Sequence, residues 1–262
     1  MCKFFSLVSN GDGKPLYFDA KLRKQVLKKE LNYEPDSHTS IADYFGFKGK
    51  KEDKLNKYEY NPLTKVFQID QKNNPKDDSK DIETFCKELD FKLIVPELII
   101  KPIIQPLKDI QTLEVTKEDL KLLKEWASVW DSVWASVRAS VGASVGDSVW
   151  ASVWASVGDS VGASVWASVW DSVGASVWAS VGDSVGDSVR ASVWDSVWAS
   201  VWASVGASVW GYISSFFDIK YKYDFSSCMK LWEKGLVPSF DGKKWRLHGK
   251  DGKILWEGEL KE

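Results

Sequence analysis

The sequence predicts a mixed fold in three parts: an α+β N-terminal domain, a central thin β-solenoid of tetrapeptide repeats, and a small α+β C-terminal cap. Residues 126–209 form 21 uninterrupted copies of one four-residue unit. Its first residue is Trp, Gly or Arg, its second is Ala or Asp, and Ser and Val always follow. The predicted boundaries are 1–110 for the N-terminal domain, 111–125 for a linker helix, 126–213 for the solenoid and 214–262 for the cap.

The N-terminal domain combines strand and helix signals. Two β-prone runs, 4–9 and 15–18, flank a Gly-rich turn and predict a hairpin. The later elements are predicted as helices over 20–31 and 37–45, a hairpin over 58–69, a helix over 81–89 and a strand over 91–100. Thr116, followed by acidic residues, caps a helix that runs to Trp126.

The C-terminal cap begins where the array must end. Large aromatic side chains follow the last repeat and provide the lid that a solenoid end needs. A short helix over 226–234, closed by Gly235, is followed by a predicted hairpin of 245–248 and 254–257.

A four-residue period argues against an α-helix. At 3.6 residues per turn, a stripe that repeats every four residues drifts by about 40° per unit. Ser, Val and Gly also have low helix propensity. Because four is a multiple of two, each unit instead fits one short side of a β-solenoid. Val is then predicted to point inward, Ser to pack or hydrogen-bond at a corner, and the first residue to face solvent.

The spacing of the variable residues favours three units per 12-residue coil. Two columns of outward side chains then follow the rod. They consist of Asp147, Asp159, Asp171, Asp183 and Asp195, and of Trp130, Trp154, Trp166, Trp178 and Trp202. Recent duplication of a short coding unit is the alternative origin of this regularity.

Two resemblances follow from these residues. The constant Ser-Val pair between variable positions resembles the architecture of pentapeptide-repeat β-solenoid proteins, although each unit is one residue shorter. The flanking segments His38–Gly46 and Leu231–Gly242 are similar to uncharacterised tetrapeptide-repeat proteins of phage and gut-bacterial type. Neither resemblance implies an activity. The second implies a location in the host cytoplasm if the chain is phage-encoded.

Composition narrows the classes of function. The formal net charge is −2, so no overall field recruits nucleic acid or an anionic membrane. Three scattered cysteines without a Cys/His cluster indicate a reducing, cytoplasmic environment and predict no metal site or cofactor. Residues 196–217 carry no formal charge, but Ser at every fourth position of the repeat argues against a membrane span.

Catalytic signals are weak. His38 lies beside Ser37, Thr39 and Asp43, which could make a hydrolytic or transfer site, yet polar residues at a helix cap explain the same pattern. Cys2 becomes a terminal nucleophile only if Met1 is removed. The sequence therefore leans against an enzyme.

The outward Trp and Asp positions are the predicted binding residues. Exposed Trp can contact the apolar surface of a protein or of a second copy, with carbohydrate as an alternative, while the acidic array disfavours nucleic acid. The predicted function is a non-catalytic interaction or structural scaffold. The alternative is a small N-terminal enzyme or effector around His38, with the array as a spacer or targeting arm.

Overall fold

The computed structural model describes the backbone of residues 4–157 and 187–260, and side chains over 4–157 and 199–260. In chain order, the helices are α1 (Ala20–Leu27), α2 (His38–Tyr44), α3 (Ser79–Glu88), α4 (Phe91–Ile94), α5 (Pro106–Asp109), α6 (Lys117–Ala127), α7 (Val133–Val145), α8 (Asp147–Val157), α9 (Asp187–Ser214) and α10 (Ser226–Glu233). The strands are β1 (Ser6–Ser9), β2 (Asn56–Asn61), β3 (Val66–Gln71), β4 (Val237–Phe240), β5 (Trp245–His248) and β6 (Ile254–Gly258). Short 3-10 turns lie at Gly49–Lys54, Trp130–Ser132 and Lys250–Gly252.

The chain divides into two compact units, each assembled from separate stretches of sequence. The N-terminal unit comprises Met1–Lys101, Arg138–Ser156 and Phe216–Lys220. The C-terminal unit comprises Pro102–Val137, Val157–Ser215 and Tyr221–Glu262. Each unit therefore contains both repeat sequence and flanking sequence.

The N-terminal unit is built on an antiparallel sheet in the order β1-β2-β3. Leu7 on β1 lies opposite Tyr58 on β2, and Glu59 lies opposite Gln68 on β3. Apolar side chains from β1, α1 and α2 meet in one buried cluster. Its members are Val8, Phe18, Val26, Ile41, Ala42 and Leu55.

The C-terminal unit has a second antiparallel sheet, in the order β4-β5-β6. Trp126 at the end of α6 and Trp232 on α10 are fully buried. The ring of Tyr212 on α9 stacks on Trp232, with the centroids 4.7 Å apart. Aromatic packing between helices from the repeat and from the flanks thus forms this core.

Several predicted elements are confirmed. Helices α1, α2, α3 and α10 fall within or beside their predicted ranges, and β2-β3 and β5-β6 form two of the three predicted hairpins. Thr116 caps α6 in a reciprocal capping box with Asp119.

Two predicted elements are wrong. The strand predicted over 91–100 begins with helix α4, where the side chain of Asp90 accepts from the amide of Lys92. Of the buried residues in this range, Phe91 and Ile94 lie on the helix, Val95 follows it in a non-helical conformation, and Leu98 makes an isolated antiparallel bridge to Phe217. In the first predicted hairpin, β1 instead pairs with β2, and only a bridge from Val8 to Leu16 remains.

The β-solenoid predicted for the repeat is wrong: the described repeats form the α-helices α7, α8 and α9. The predicted columns of Asp and Trp at 12-residue spacing therefore do not exist as solenoid columns in the described repeats. The inward position of Val is nevertheless confirmed. Each Val is buried from Val133 to Val157 and from Val201 to Val209.

The drift of 40° per unit does not exclude a helix because the packed stretches are short. Helix α7 contains four buried valines, from Val133 to Val145, which spread over about 120°. That is the usual width of a buried apolar stripe. Gly146 then adopts a φ of 91° and ends the helix, so α8 begins a new stripe with its own phase.

The buried hydroxyls of repeat serines find acceptors within their own helices. The hydroxyl of Ser156 donates to the carbonyl of Ser152 at 2.7 Å, and that of Ser208 donates to the carbonyl of Val205 at 2.7 Å. Burial of the Val face adds tertiary stabilisation that isolated helix propensity omits.

The variable residues of the repeat also mark helix boundaries. Helices α8 and α9 both begin at the Asp of a Gly-Asp-Ser-Val unit, Asp147 and Asp187. A carboxylate in the first helical turn is stabilised by the helix dipole, and Gly readily ends the preceding helix. Gly142 and Gly206 are each followed by Ala and not by Asp, and both lie inside helices.

Across residues 4–157 and 187–260, none of the helices has the length and apolar character required to cross a membrane.

Candidate functional site

The described binding residues of the predicted array lie in different surroundings. Asp147 is exposed at the first residue of α8, and Trp202 on α9 is 51% exposed. Trp130 is half-buried against aromatic rings of the C-terminal unit. Trp154 is half-buried, and its ring stacks on that of Trp150 with the centroids 6.3 Å apart.

The other predicted residues cannot be placed. Cys2, Trp166, Trp178, Asp159, Asp171 and Asp183 lie outside the described residues. Asp195 belongs to α9, but its side chain lies outside the described part of the chain.

His38 is a buried residue at the start of α2. Its Nε2 lies 3.0 Å from the carbonyl oxygen of Tyr58, and its Nδ1 lies 3.6 Å from a carboxylate oxygen of Asp70. A carbonyl only accepts, so Nε2 carries a hydrogen. The hydroxyl of Thr39 donates to Glu52 instead. His38 therefore connects α2 to the sheet, while the neighbouring Thr39 makes its contact elsewhere.

A groove of about 750 Å³ lies in the N-terminal unit where α7 meets α8. We call it the junction groove. One wall is the repeat, through Gly142, Gly146, Asp147 and Ser148, and the other runs from the end of α1 to the start of α2. The second wall combines apolar and charged side chains. They include Val26, Leu27, Lys29, Leu31, Tyr33, Glu34 and Pro35.

A buried ion pair supports the junction groove. The guanidinium of Arg23 binds Asp36 in a bidentate manner, with nitrogen–oxygen distances of 2.7 and 2.9 Å. The hydroxyl of Ser148 also donates to Asp36, and the guanidinium lies over the ring of Phe4. Because both charges are buried and hydrogen-bonded, the pair fixes the position of α8 against the N-terminal segment. No pattern in the sequence indicated this ion pair.

The glycine at position 142 keeps the junction groove open. A Cβ at this position would meet only a carboxylate oxygen of Asp147, at 3.1 Å. Trp occupies the same place in 11 of the 21 units, and its side chain would extend into the groove. The first residue of this unit, a glycine, therefore leaves the groove open.

A second groove, of about 560 Å³, lies on the other side of α1. Lys21, Lys24 and Lys28 line it, and they share one helical face. Ala143 and Val145 of the repeat form part of the opposite wall. Variable repeat positions thus border both grooves of this unit.

The repeat serines bind the edges of the flanking sheets. Ser152 on α8 accepts from the backbone amide of Phe4 at 2.9 Å, and its hydroxyl lies 3.5 Å from the carbonyl of the same residue. In the C-terminal unit, Ser204 on α9 accepts from the amide of Phe240 at 2.8 Å and lies 3.4 Å from its carbonyl. The hydroxyl of Ser204 donates at a shorter distance, 3.0 Å, to the carbonyl of Val201 in its own helix. Each of the two serines thus accepts from a backbone amide in or beside an edge strand.

Asn61, at the end of β2, extends this pattern. Its side-chain amide donates to the hydroxyl of Ser156 at 2.7 Å. The constant Ser of the repeat is therefore used for internal docking.

A buried serine–histidine pair in the C-terminal sheet has the arrangement of a nucleophile and a base. The Nε2 of His248 lies 2.7 Å from the hydroxyl of Ser239, and its Nδ1 lies 3.0 Å from the carbonyl of Gly252. The carbonyl requires a hydrogen on Nδ1, so in the neutral ring Nε2 accepts from Ser239. Burial lowers the pKa of His248 to about 4. Both side chains are 0% exposed, so the pair is a structural contact without access for a substrate.

Asp78 forms a buried hydrogen-bond cluster in the N-terminal unit. Burial by itself raises the pKa of Asp78, but its bonds from Ser9, Tyr58, Asn56 and the amide of Gly13 outweigh this effect and hold the pKa below its ordinary value. The carboxylate is saturated with donors, so it fixes the surrounding loops. The sequence gave no signal for this cluster.

Within the described residues, no group of three or more His, Cys, Asp or Glu side chains is arranged to hold a metal ion. Comparison of the chain with protein-family models, with curated proteins and with solved structures found no significant match.

Proposed function

We propose that this protein is a non-catalytic scaffold that binds a partner protein through the variable positions of its repeat. The observation that supports the proposal is that the constant and the variable positions of the repeat unit have different surroundings. Val and Ser are used internally, in the core and at the sheet edges. Several first and second residues are exposed, such as Arg138, Asp147 and Trp202, and Gly142 borders the junction groove.

The junction groove suits a peptide segment of a partner protein. Its volume lies in the range of ordinary ligand sites. Leu27, Leu31 and Pro35 offer an apolar surface, while Lys29 and Glu34 carry opposite charges. A segment with an apolar side chain between charged residues matches this lining. Phosphate groups would meet carboxylates on both walls, which disfavours nucleic acid.

Photo-crosslinking from the groove tests this function. A photoreactive amino acid is placed at Asn32, which lines the groove, or at Glu88, which is exposed on α3, and extract of the native cells is irradiated. We expect a protein adduct from position 32 that Gly142→Trp abolishes, because the indole fills the groove. Position 88 should give no such adduct.

Two results would contradict the proposal. The first is the same adduct from both positions, and the second is an adduct from position 32 that persists in Gly142→Trp. Absence of any protein adduct would also contradict the proposal, and it is the result expected if the groove binds a glycan. Circular dichroism of Gly142→Trp should match that of the parent protein, because Trp is a common residue at this repeat position.

A further inference from the structure

Strand β3 is an edge strand whose outer backbone groups can be assigned from the sheet register. The amides and carbonyls of Phe5 and Tyr60 bond to each other, at 2.5 and 2.8 Å. The backbone of Tyr60 therefore faces β1. Successive residues of a strand face opposite neighbours, so Glu59 and Asn61 face β3.

The same alternation fixes β3. Gln68 lies opposite Glu59, and Val66 lies opposite Asn61, so both direct their backbone groups to β2. Phe67 and Ile69 consequently direct their amides and carbonyls away from the sheet. Within residues 4–157 and 187–260, no backbone group bonds to these outward groups.

The side chains leave this edge unprotected. Val66 is 57% exposed and Ile69 is 43% exposed. Proteins usually protect an edge strand with proline, lysine or a bulge on its outer side. Asp70 is the single charged residue of β3, which contains no proline. The irregularity in the pairing of β3 with β2 also falls at Asp70, so the segment from Val66 to Ile69 has no such protection. Such an edge is suited to accept another strand.

We propose that two copies of this chain pair through β3, antiparallel, about a two-fold axis at Gln68. In this register, Phe67 of each copy lies opposite Ile69 of the other, and the two pairs exchange four main-chain hydrogen bonds. The apolar side chains of both pairs lie on one face of the joined sheet. The two Gln68 amides meet on the other face.

The edge is complementary to itself in charge as well as in shape. Asp70 of one copy faces Val66 of the other, and Lys65 faces Gln71, so no two like charges lie opposite each other. The occupant we infer is therefore a second copy of the chain. A contact of six residues per chain is small for a stable dimer, so the association is weak and depends on concentration.

Sedimentation equilibrium tests the dimer. The weight-average mass should rise from 29.6 kDa towards twice that value as the concentration of the full chain increases. Ile69→Lys places a cation beside the apolar partner and should weaken association about tenfold or more. Val66→Lys is the matched control, because it faces Asp70 of the other copy and should preserve or strengthen the dimer.

Amide exchange measured by NMR supplies a backbone test. The amides of Phe67 and Ile69 should exchange quickly in dilute solution and slowly at high concentration. Those of Val66 and Gln68, which face β2, should be protected at both concentrations. Ile69→Pro removes one outward amide without removing a bond to β2, and it should also give a monomer.

The outcomes separate the alternatives. A constant monomer mass up to millimolar concentration overturns the proposal. A dimer that Ile69→Lys leaves unchanged, or in which the amides of Phe67 and Ile69 gain no protection, overturns it as well. Binding of an extended peptide from another protein, with the chain itself monomeric, also contradicts it.

Discussion

The buried imidazole of His248 makes the C-terminal sheet sensitive to acid. Its pKa is lowered to about 4 in the folded protein by burial, whereas an unperturbed histidine has a pKa of about 6.5. Between these values the unfolded chain binds a proton that the folded chain does not. The free energy of unfolding therefore falls as the pH decreases below about 6.5, and the loss is complete below about pH 4.

The size of the effect follows from the difference between the two pKa values. At 1.36 kcal/mol per pKa unit, the full loss is about 3 kcal/mol, and at pH 5 it is about 2 kcal/mol. Carboxylates with a lowered pKa, such as Asp241, contribute in the same direction only below about pH 4. The interval from pH 7 to pH 5 therefore isolates the histidine contribution.

Native-state hydrogen exchange of β4–β6 measures this loss. The opening free energy of peptides from residues 237–258, corrected for intrinsic exchange, should fall by about 2 kcal/mol from pH 7 to pH 5. In His248→Gln, whose amide does not titrate, the same peptides should show a nearly constant opening free energy. His38→Gln is the control and should keep the pH dependence. Equal slopes in the parent protein and His248→Gln would refute the reasoning.

Three further substitutions test the packing of the N-terminal unit by chemical denaturation. Ser152→Ala leaves a buried strand-edge amide without its acceptor and should cost about 1–3 kcal/mol, whereas Ser140→Ala should change stability by a few tenths. Gly146→Ala forces a φ of 91° on a residue with a Cβ and should lower the free energy of unfolding by about 1–2 kcal/mol. Its control is Gly142→Ala, within α7, which should leave that free energy unchanged or raise it by up to about 1 kcal/mol. Arg23→Met leaves a buried carboxylate unpaired and should cost about 3–5 kcal/mol; retention of full stability would contradict its structural role.

Several elements could be predicted from the sequence because their structure depends only on residues that are close together in the chain. The capping box at Thr116 and the hairpin turn after Asn61 rely on local hydrogen bonds, and both occur as predicted. The strand predicted over 91–100 failed because the side chain of Asp90 caps a short helix over Phe91–Ile94, and only Leu98 forms an isolated bridge, to Phe217. Strand β4 was missed because it contains Pro238, which an edge strand tolerates.

The candidate site was beyond sequence prediction for a different reason. The junction groove combines Gly142 and Asp147 with side chains more than a hundred residues earlier, such as Tyr33 and Pro35. No periodicity encodes this contact. The predicted Trp and Asp positions named the variable residues of the repeat, and these remain predicted binding residues.

The sequence by itself determined the roles of residues within the repeat. A constant Val is the buried position of each described unit from Val133 on, and the constant Ser forms hydrogen bonds in several units, as Ser156 and Ser208 do. Tertiary structure alone decided between helix and strand. The drift of 40° per unit would expose Val in a long isolated helix, but Gly146 divides residues 133–157 into two helices, α7 and α8, that are short enough for the core to cover. In the longer α9, the buried valines among the described side chains extend only from Val201 to Val209.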